Sequence, residues 1–75
     1  MELKDMVRMA NQIAGFYHGY AEDEARAEIA DHINRFWEPR MRDEFLGYVA
    51  KGGEGLAPVV MAAAAMIRKP NKAAA

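Results

Sequence analysis

The 75-residue sequence is long enough for a single domain, and a chain of this size buries only about 60% of the surface that its unfolded form exposes. It contains no cysteine, serine or threonine, which excludes Ser, Thr and Cys nucleophiles, thiolate-held zinc or iron–sulfur centres, and disulfides within this chain. The net charge of −1 argues against nucleic acid as the partner, because proteins that bind it usually carry a clear basic surplus.

The first predicted helix begins at Leu3 and ends near Gly19. Asp5 suits its first turn, where a carboxylate stabilises the positive end of the helix dipole. His18, at the other end, is expected to make a capping or dipole contact. The apolar residues recur at spacings of three and four, which is the period of an amphipathic helix. They are Met6, Val7, Ala10, Ile13, Ala14 and Tyr17.

The second predicted helix follows the acidic segment 22–24, with Asp23 as its N-cap residue. Its apolar stripe begins at the stem of Arg26 or at Ala25 and passes through Ile29 and Ile33 to one of two adjacent aromatic residues at positions 36 and 37. Acidic residues four positions before arginines predict ion pairs on its solvent side. These pairs are Glu22 with Arg26 and Asp31 with Arg35.

Glu38-Pro39 predicts a sharp corner between the second and third helices. Proline disfavours helical backbone at the preceding residue and is well suited to the first position of a helix. The third predicted helix ends at Gly52-Gly53, because glycine readily adopts the left-handed conformation of a helix cap.

The fourth predicted helix begins near Leu56 and ends at Arg68-Lys69, before Pro70. Its residues are apolar on every side, so either its alanines tolerate water or another protein covers the far side. The sequence therefore predicts an all-α fold, a single small domain of about four short helices over residues 1–70, with a disordered tail at residues 71–75.

No membrane attachment is expected. The longest uncharged segment, residues 56–67, is much shorter than the roughly 20 residues that a bilayer-spanning helix needs. Residues 1–5 lack the basic and apolar regions of a signal peptide, so we expect a cytoplasmic location.

A metal site is not expected either. Glu28, Asp31 and His32 lie near one another on the second helix, but two carboxylates and one imidazole on an exposed helix are common. Asp31-His32 is not expected to act as a catalytic dyad, because neighbouring helical side chains diverge and the chain has no Ser or Thr hydroxyl and no thiol to activate. We therefore predict no cofactor, no metal and no catalysis.

The corner is the predicted partner-binding site, formed by Arg35, Phe36, Trp37, Arg40 and Arg42. Adjacent helical residues point about 100° apart, so two large rings fit poorly into one small core. Tryptophan and arginine are enriched among the residues that dominate binding energy at protein interfaces, and arginine suits bidentate contacts with carboxylates or phosphates.

Two alternatives stay open at the corner. Trp37 could be a core residue, in which case truncating it would unfold the domain and not merely weaken a complex. The arginines could form solvated ion pairs four positions apart. The candidate pairs are Asp31 with Arg35, Glu38 with Arg42, and Arg40 with Glu44.

Three segments resemble the delta subunit family of cytoplasmic, NAD-dependent, molybdenum-containing formate dehydrogenases. They are residues 9–14 (MANQIA), residues 30–42 and the turn Gly52-Gly53-x-Gly55-Leu56-x-Pro58, of which the central stretch is the most specific. The resemblance implies a small accessory subunit. Its partner would be the large subunit, which holds molybdenum or tungsten on pterin guanine dinucleotide and oxidises formate, while iron–sulfur and flavin subunits pass the electrons to NAD.

Together the residues and the resemblance predict a non-catalytic accessory subunit that supports assembly or stability of the large molybdopterin-bearing subunit in a hetero-oligomer. Two alternatives belong to other classes. One is a helical nucleic-acid-binding module whose arginines contact phosphates, which the net charge disfavours. The other is a self-associating helical module with no enzyme partner.

Overall fold

The computed structural model describes residues 2–69 and contains four helices in this part of the chain. They are α1 (Leu3–Phe16), α2 (Glu22–Phe36), α3 (Pro39–Ala50) and α4 (Pro58–Ala64). No strand occurs among these residues, so the predicted all-α fold of four helices is confirmed. None of the helices within this range is long and apolar enough to cross a membrane. The predicted tail at residues 71–75 lies outside the described residues.

One hydrophobic core joins all four helices. α4 packs most extensively against α2, while α1 lies against the other three helices. The three-and-four spacing predicted for the core faces of α1 and α2 is the spacing of their buried residues. The buried cluster comprises Met6, Ala10, Ile13, Ile29, Ala30, Ile33, Trp37, Phe45, Val60, Ala63, Ala64 and Ile67.

The start of α2 differs from the prediction. Its N-cap residue is Ala21, and Asp23 lies inside the first turn, where its carboxylate accepts the N–H of Glu24 at 3.0 Å. No side chain caps the start of α2. Instead, three consecutive carboxylates in the first turn stabilise the positive end of the helix dipole. α1 also ends earlier than predicted, at Phe16 and not near Gly19.

The predicted corner before α3 and the predicted glycine cap after it are both confirmed. Trp37 and Glu38 have extended backbone, with ψ of 133° and 153°, and Pro39 is the first residue of α3. At the other end, Gly52 has a φ of 121° and donates its N–H to Val49, while the N–H of the following glycine bonds to the carbonyl of residue 48. This pair of bonds forms a Schellman cap, which requires a left-handed residue.

α4 is shorter than predicted and ends at Ala64, so Arg68 and Lys69 lie beyond the helix. Two turn bonds follow, from Met66 N–H to the carbonyl of residue 63 and from Ile67 N–H to that of residue 64. Only part of the α4 surface is buried, since Val59, Met61 and Ala62 are half-buried. Met66, beyond the end of the helix, is 47% exposed.

Candidate partner-binding site

Trp37 lies in the hydrophobic core, which contradicts the expectation that it faces a partner. Its side chain is 5% exposed, and its ring meets the ring of Phe45 edge-on, with centroids 5.3 Å apart. Phe36 is the last residue of α2, whereas Trp37 already has extended backbone. The chain leaves the helix between the two aromatics, so one ring enters the core while the other stays outside.

Phe36 is the exposed aromatic residue of the corner. Its side chain is 70% exposed, and its one aromatic contact in the described chain is with His32, with ring centroids 4.8 Å apart. Both residues lie one turn apart on α2, so this contact covers only one side of the phenylalanine ring. Burying the remainder against a partner would contribute up to about 1.5–3 kcal/mol.

Arg35 and Arg40 also lie on the surface. Arg35 forms the predicted ion pair with Asp31 at 3.2 Å, and both side chains are more than half exposed. Such a pair contributes only about 0–1 kcal/mol, so it leaves Arg35 available to other carboxylates. Arg40 forms no ion pair with a described residue, and its predicted pair with Glu44 is not found there.

Arg42 binds the backbone of its own chain. Its Nε donates to the carbonyl of Arg68 at 3.1 Å, and its Nη1 donates to the carbonyls of Trp37 at 3.1 Å and Asn34 at 3.3 Å. The predicted pair with Glu38 does not form among the described residues, because the guanidinium faces these carbonyls. Arg42 therefore connects the end of α2 to the segment after α4.

Asn34 completes this connection. The sequence alone predicted no role for this residue. It donates from Nδ2 to the carbonyl of Met66 at 3.1 Å and accepts the N–H of Arg68 on Oδ1 at 2.8 Å. Asparagine is a poor residue for a helix interior because its side chain competes for backbone groups. An asparagine in the last turn of α2, before the helix ends at Phe36, was therefore the available signal.

The described residues bring together no metal-ligand set. Within residues 2–69, no three His, Cys, Asp or Glu residues lie close enough to hold a metal ion. In this range Asp31 contacts Arg35, and His32 contacts Phe36. His18 is exposed at the turn after α1, where its own N–H bonds to the carbonyl of Gly15 at 3.3 Å.

Of the five residues predicted to bind a partner, three remain on the surface of the corner: Arg35, Phe36 and Arg40. We call these three residues the corner surface. The other two are Trp37, which lies in the core, and Arg42, which is half-buried and bonds to backbone carbonyls, so they position the corner surface and do not form it.

The fold is that of a small all-helical domain whose second and third helices meet at a corner with an exposed aromatic ring and two exposed arginines. Residues 5–64 match the family model described as NADH-dependent formate dehydrogenase delta subunit FdsD. The chain belongs to this family, which confirms the resemblance seen in the sequence. No curated protein and no solved structure matches the chain. The matched region runs from the first turn of α1 to the end of α4 and includes the corner surface.

Proposed function

We propose that this chain is a non-catalytic delta subunit of a cytoplasmic NAD-dependent formate dehydrogenase that uses molybdenum or tungsten. In this role it supports assembly or stability of the large cofactor-bearing subunit. Membership of the delta subunit family carries the proposal. The composition supports it, because a chain without cysteine supplies no thiolate for an iron–sulfur cluster. Formate oxidation and electron transfer are accordingly assigned to other subunits.

The corner surface is the proposed contact with the large subunit. Phe36 offers an apolar ring, and Arg35 and Arg40 flank it with planar donors for carboxylates. An apolar side chain surrounded by arginines resembles the anchors that dominate the binding energy of protein interfaces. We therefore expect the complementary surface to be a shallow apolar pocket bordered by Asp or Glu.

The internal bonds of the corner support this role. Trp37 is fixed by its contact with Phe45, and Arg42 bonds to three carbonyls around the corner. Because the backbone that carries Phe36 is already ordered, binding would lose less conformational entropy than it would with a flexible loop.

The nucleic-acid alternative has little support. Arg42 faces backbone carbonyls, so the exposed arginines of the corner are Arg40 and Arg35, and Arg35 lies against the carboxylate of Asp31. Two exposed arginines on a chain of net charge −1 supply little attraction to phosphates.

The test is deletion of this chain from a strain that produces the formate dehydrogenase. We expect less active enzyme and a smaller fraction of large subunits loaded with molybdenum, but an unchanged rate per loaded site. An accessory subunit changes how much enzyme is assembled, whereas a catalytic residue changes the barrier of the reaction. Metal analysis of the purified large subunit and formate oxidation per molybdenum give the two values.

Complementation with the wild-type chain is the control for the deletion, and complementation with Phe36→Ala tests the corner surface. Normal loading and normal yield in the deletion strain would contradict a role in assembly or stability. The purified chain alone should show no formate oxidation and no stoichiometric metal, and turnover by it would contradict the non-catalytic assignment.

A further inference from the structure

A concave surface lies at the turn between α1 and α2, at the opposite end of α2 from the corner surface. The turn forms one side of a cavity of about 230 Å³ that is open to solvent. Its walls include the small apolar residues Ala14, Ala25 and Val59 and the rings of Tyr17 and Tyr20. We call this cavity the turn pocket. Because α2 has 15 residues, its two ends are about 20 Å apart, so one variant affects only one of the two surfaces.

Exposed aromatic rings lie on and next to the turn pocket, one in its wall and one at the end of α1. Tyr20 is 53% exposed and meets Tyr17 edge-on, with ring centroids 5.2 Å apart. Phe16, the last residue of α1, is 80% exposed. The chain thus has two exposed aromatic side chains within five positions of one turn. Aromatic rings concentrated in this way are typical of protein interfaces.

The edge of the turn pocket is acidic. Glu22 contributes to its wall and begins a run of three exposed carboxylates with Asp23 and Glu24. The predicted pair between Glu22 and Arg26 does not form, and none of the three carboxylates lies within ion-pair distance of a described basic side chain. An apolar cavity beside unpaired carboxylates is complementary to an apolar side chain that has a cationic neighbour.

We propose that the turn pocket receives one apolar side chain flanked by lysine or arginine, from a segment of the formate dehydrogenase subunit that this chain binds. The proposal rests on the proposed function and adds a second contact to it, separate from the corner surface. The cavity is smaller than the roughly 300–1,000 Å³ of pockets that hold small organic ligands. A single leucine, methionine or phenylalanine side chain is a better match for its size.

Two other occupants fit less well. A second copy of this chain, related by a two-fold axis, would bring the acidic run 22–24 close to its own copy and create repulsion between like charges. The chain's own segment 70–75 offers proline and alanine as its only apolar side chains, which are too small to fill the cavity.

The experiment measures binding of the purified chain to formate dehydrogenase purified from the deletion strain, by biolayer interferometry. Tyr20→Ala reduces the apolar wall, and Glu22→Lys reverses the charge at the edge. Each should weaken binding about tenfold or more, as loss of an interface anchor does. Leu3→Ala and Glu28→Gln are the matched controls, because both residues are exposed and neither lines the turn pocket.

Salt separates the charge contribution from the apolar one. Binding of the wild-type chain should weaken as ionic strength rises, and binding of Glu22→Gln should weaken less, because one exposed charge has been removed. Glu22 is exposed and has no ion pair with a described residue, so its variants decide the proposal even if Tyr20→Ala lowers helix content.

Each outcome has a distinct meaning. If the variants at positions 20 and 22 bind the enzyme with the same affinity as the wild-type chain, this inference is overturned and the proposed function still stands. Absence of any complex with the wild-type chain would overturn both. A wild-type dimer that Tyr20→Ala converts to a monomer, with normal binding to the enzyme, would assign the turn pocket to a second copy and overturn the inference.

Discussion

Asn11 and Asn34 make the same pair of hydrogen bonds at opposite ends of α4. Asn11, on α1, donates to the carbonyl of Gly55 at 3.0 Å and accepts the N–H of Ala57 at 2.9 Å, so it binds residues i and i+2 of the segment before α4. Asn34, on α2, binds residues i and i+2 of the segment after α4 in the same way. A helix of seven residues has few backbone bonds of its own, and these two amides fix its entry and exit.

Replacing either asparagine should therefore destabilise the domain. Asn11→Ala and Asn34→Ala each leave one carbonyl and one N–H without their partners, which we expect to cost about 1–3 kcal/mol in the free energy of unfolding. Urea denaturation followed by circular dichroism measures the cost. Gln12→Ala, at an exposed position of α1, is the control and should change stability by less than about 0.5 kcal/mol. Equal stability of the three variants would contradict the role of the two amides.

Arg42 and Arg40 should differ in the same measurement, although they lie two residues apart. Arg42→Ala removes three charge-assisted bonds to carbonyls and should lower the free energy of unfolding by about 1.5–3 kcal/mol. Arg42→Lys should recover little of this, because a single ammonium cannot replace a planar fork that reaches three oxygens. Arg40→Ala, at an exposed position, should stay within about 0.5 kcal/mol of wild type. Similar losses for Arg40→Ala and Arg42→Ala would show that the bonds to the carbonyls contribute no stability.

Gly47 and Gly52 provide a test of backbone conformation alone, because a Cβ atom at either position would meet no heavy atom of a packed neighbour within 4 Å. Gly47 lies inside α3, so Gly47→Ala should stabilise the domain by about 0.5–1 kcal/mol. Gly52 has a φ of 121°, which side chains rarely tolerate, so Gly52→Ala should destabilise it by about 1–3 kcal/mol. Thermal unfolding compares the two variants, and a shift of the same sign in both would be inconsistent with the Schellman cap.

Features set by local chemistry could be predicted from the sequence. Pro39 and Gly52 were assigned correctly, because proline at a helix start and glycine at a helix end depend on the backbone of a few residues. The core faces of α1 and α2 followed from spacing alone, since one stripe of each helix must be buried.

Features that depend on distant residues could not be predicted. α4 ends at Ala64 while the segment after it binds an amide on α2, a contact between residues more than 30 positions apart. The same is true of Arg42, whose spacing of four from Glu38 predicted an ion pair, whereas its guanidinium binds backbone carbonyls in the folded chain. Spacing rules describe one helix at a time. They could not predict that Trp37 enters the core while Phe36 stays exposed, because this depends on where α2 ends.

Truncating Trp37 should lower the stability of the domain, whereas truncating Phe36 should lower its affinity for the partner. Trp37→Ala removes a buried ring from a small core and should lower the free energy of unfolding by about 3–5 kcal/mol, enough to unfold a domain of this size. Phe36→Ala removes a ring that is 70% exposed, so the variant should remain helical and lose less than about 0.5 kcal/mol. If Phe36 anchors the large subunit, the same variant should weaken the complex by about 2 kcal/mol, a roughly thirtyfold loss of affinity.

Circular dichroism of the isolated variants and a pull-down with the large subunit separate stability from binding. A folded Phe36→Ala variant with undiminished binding would remove the corner surface from the interface, and a folded Trp37→Ala variant would contradict the position of the tryptophan in the core.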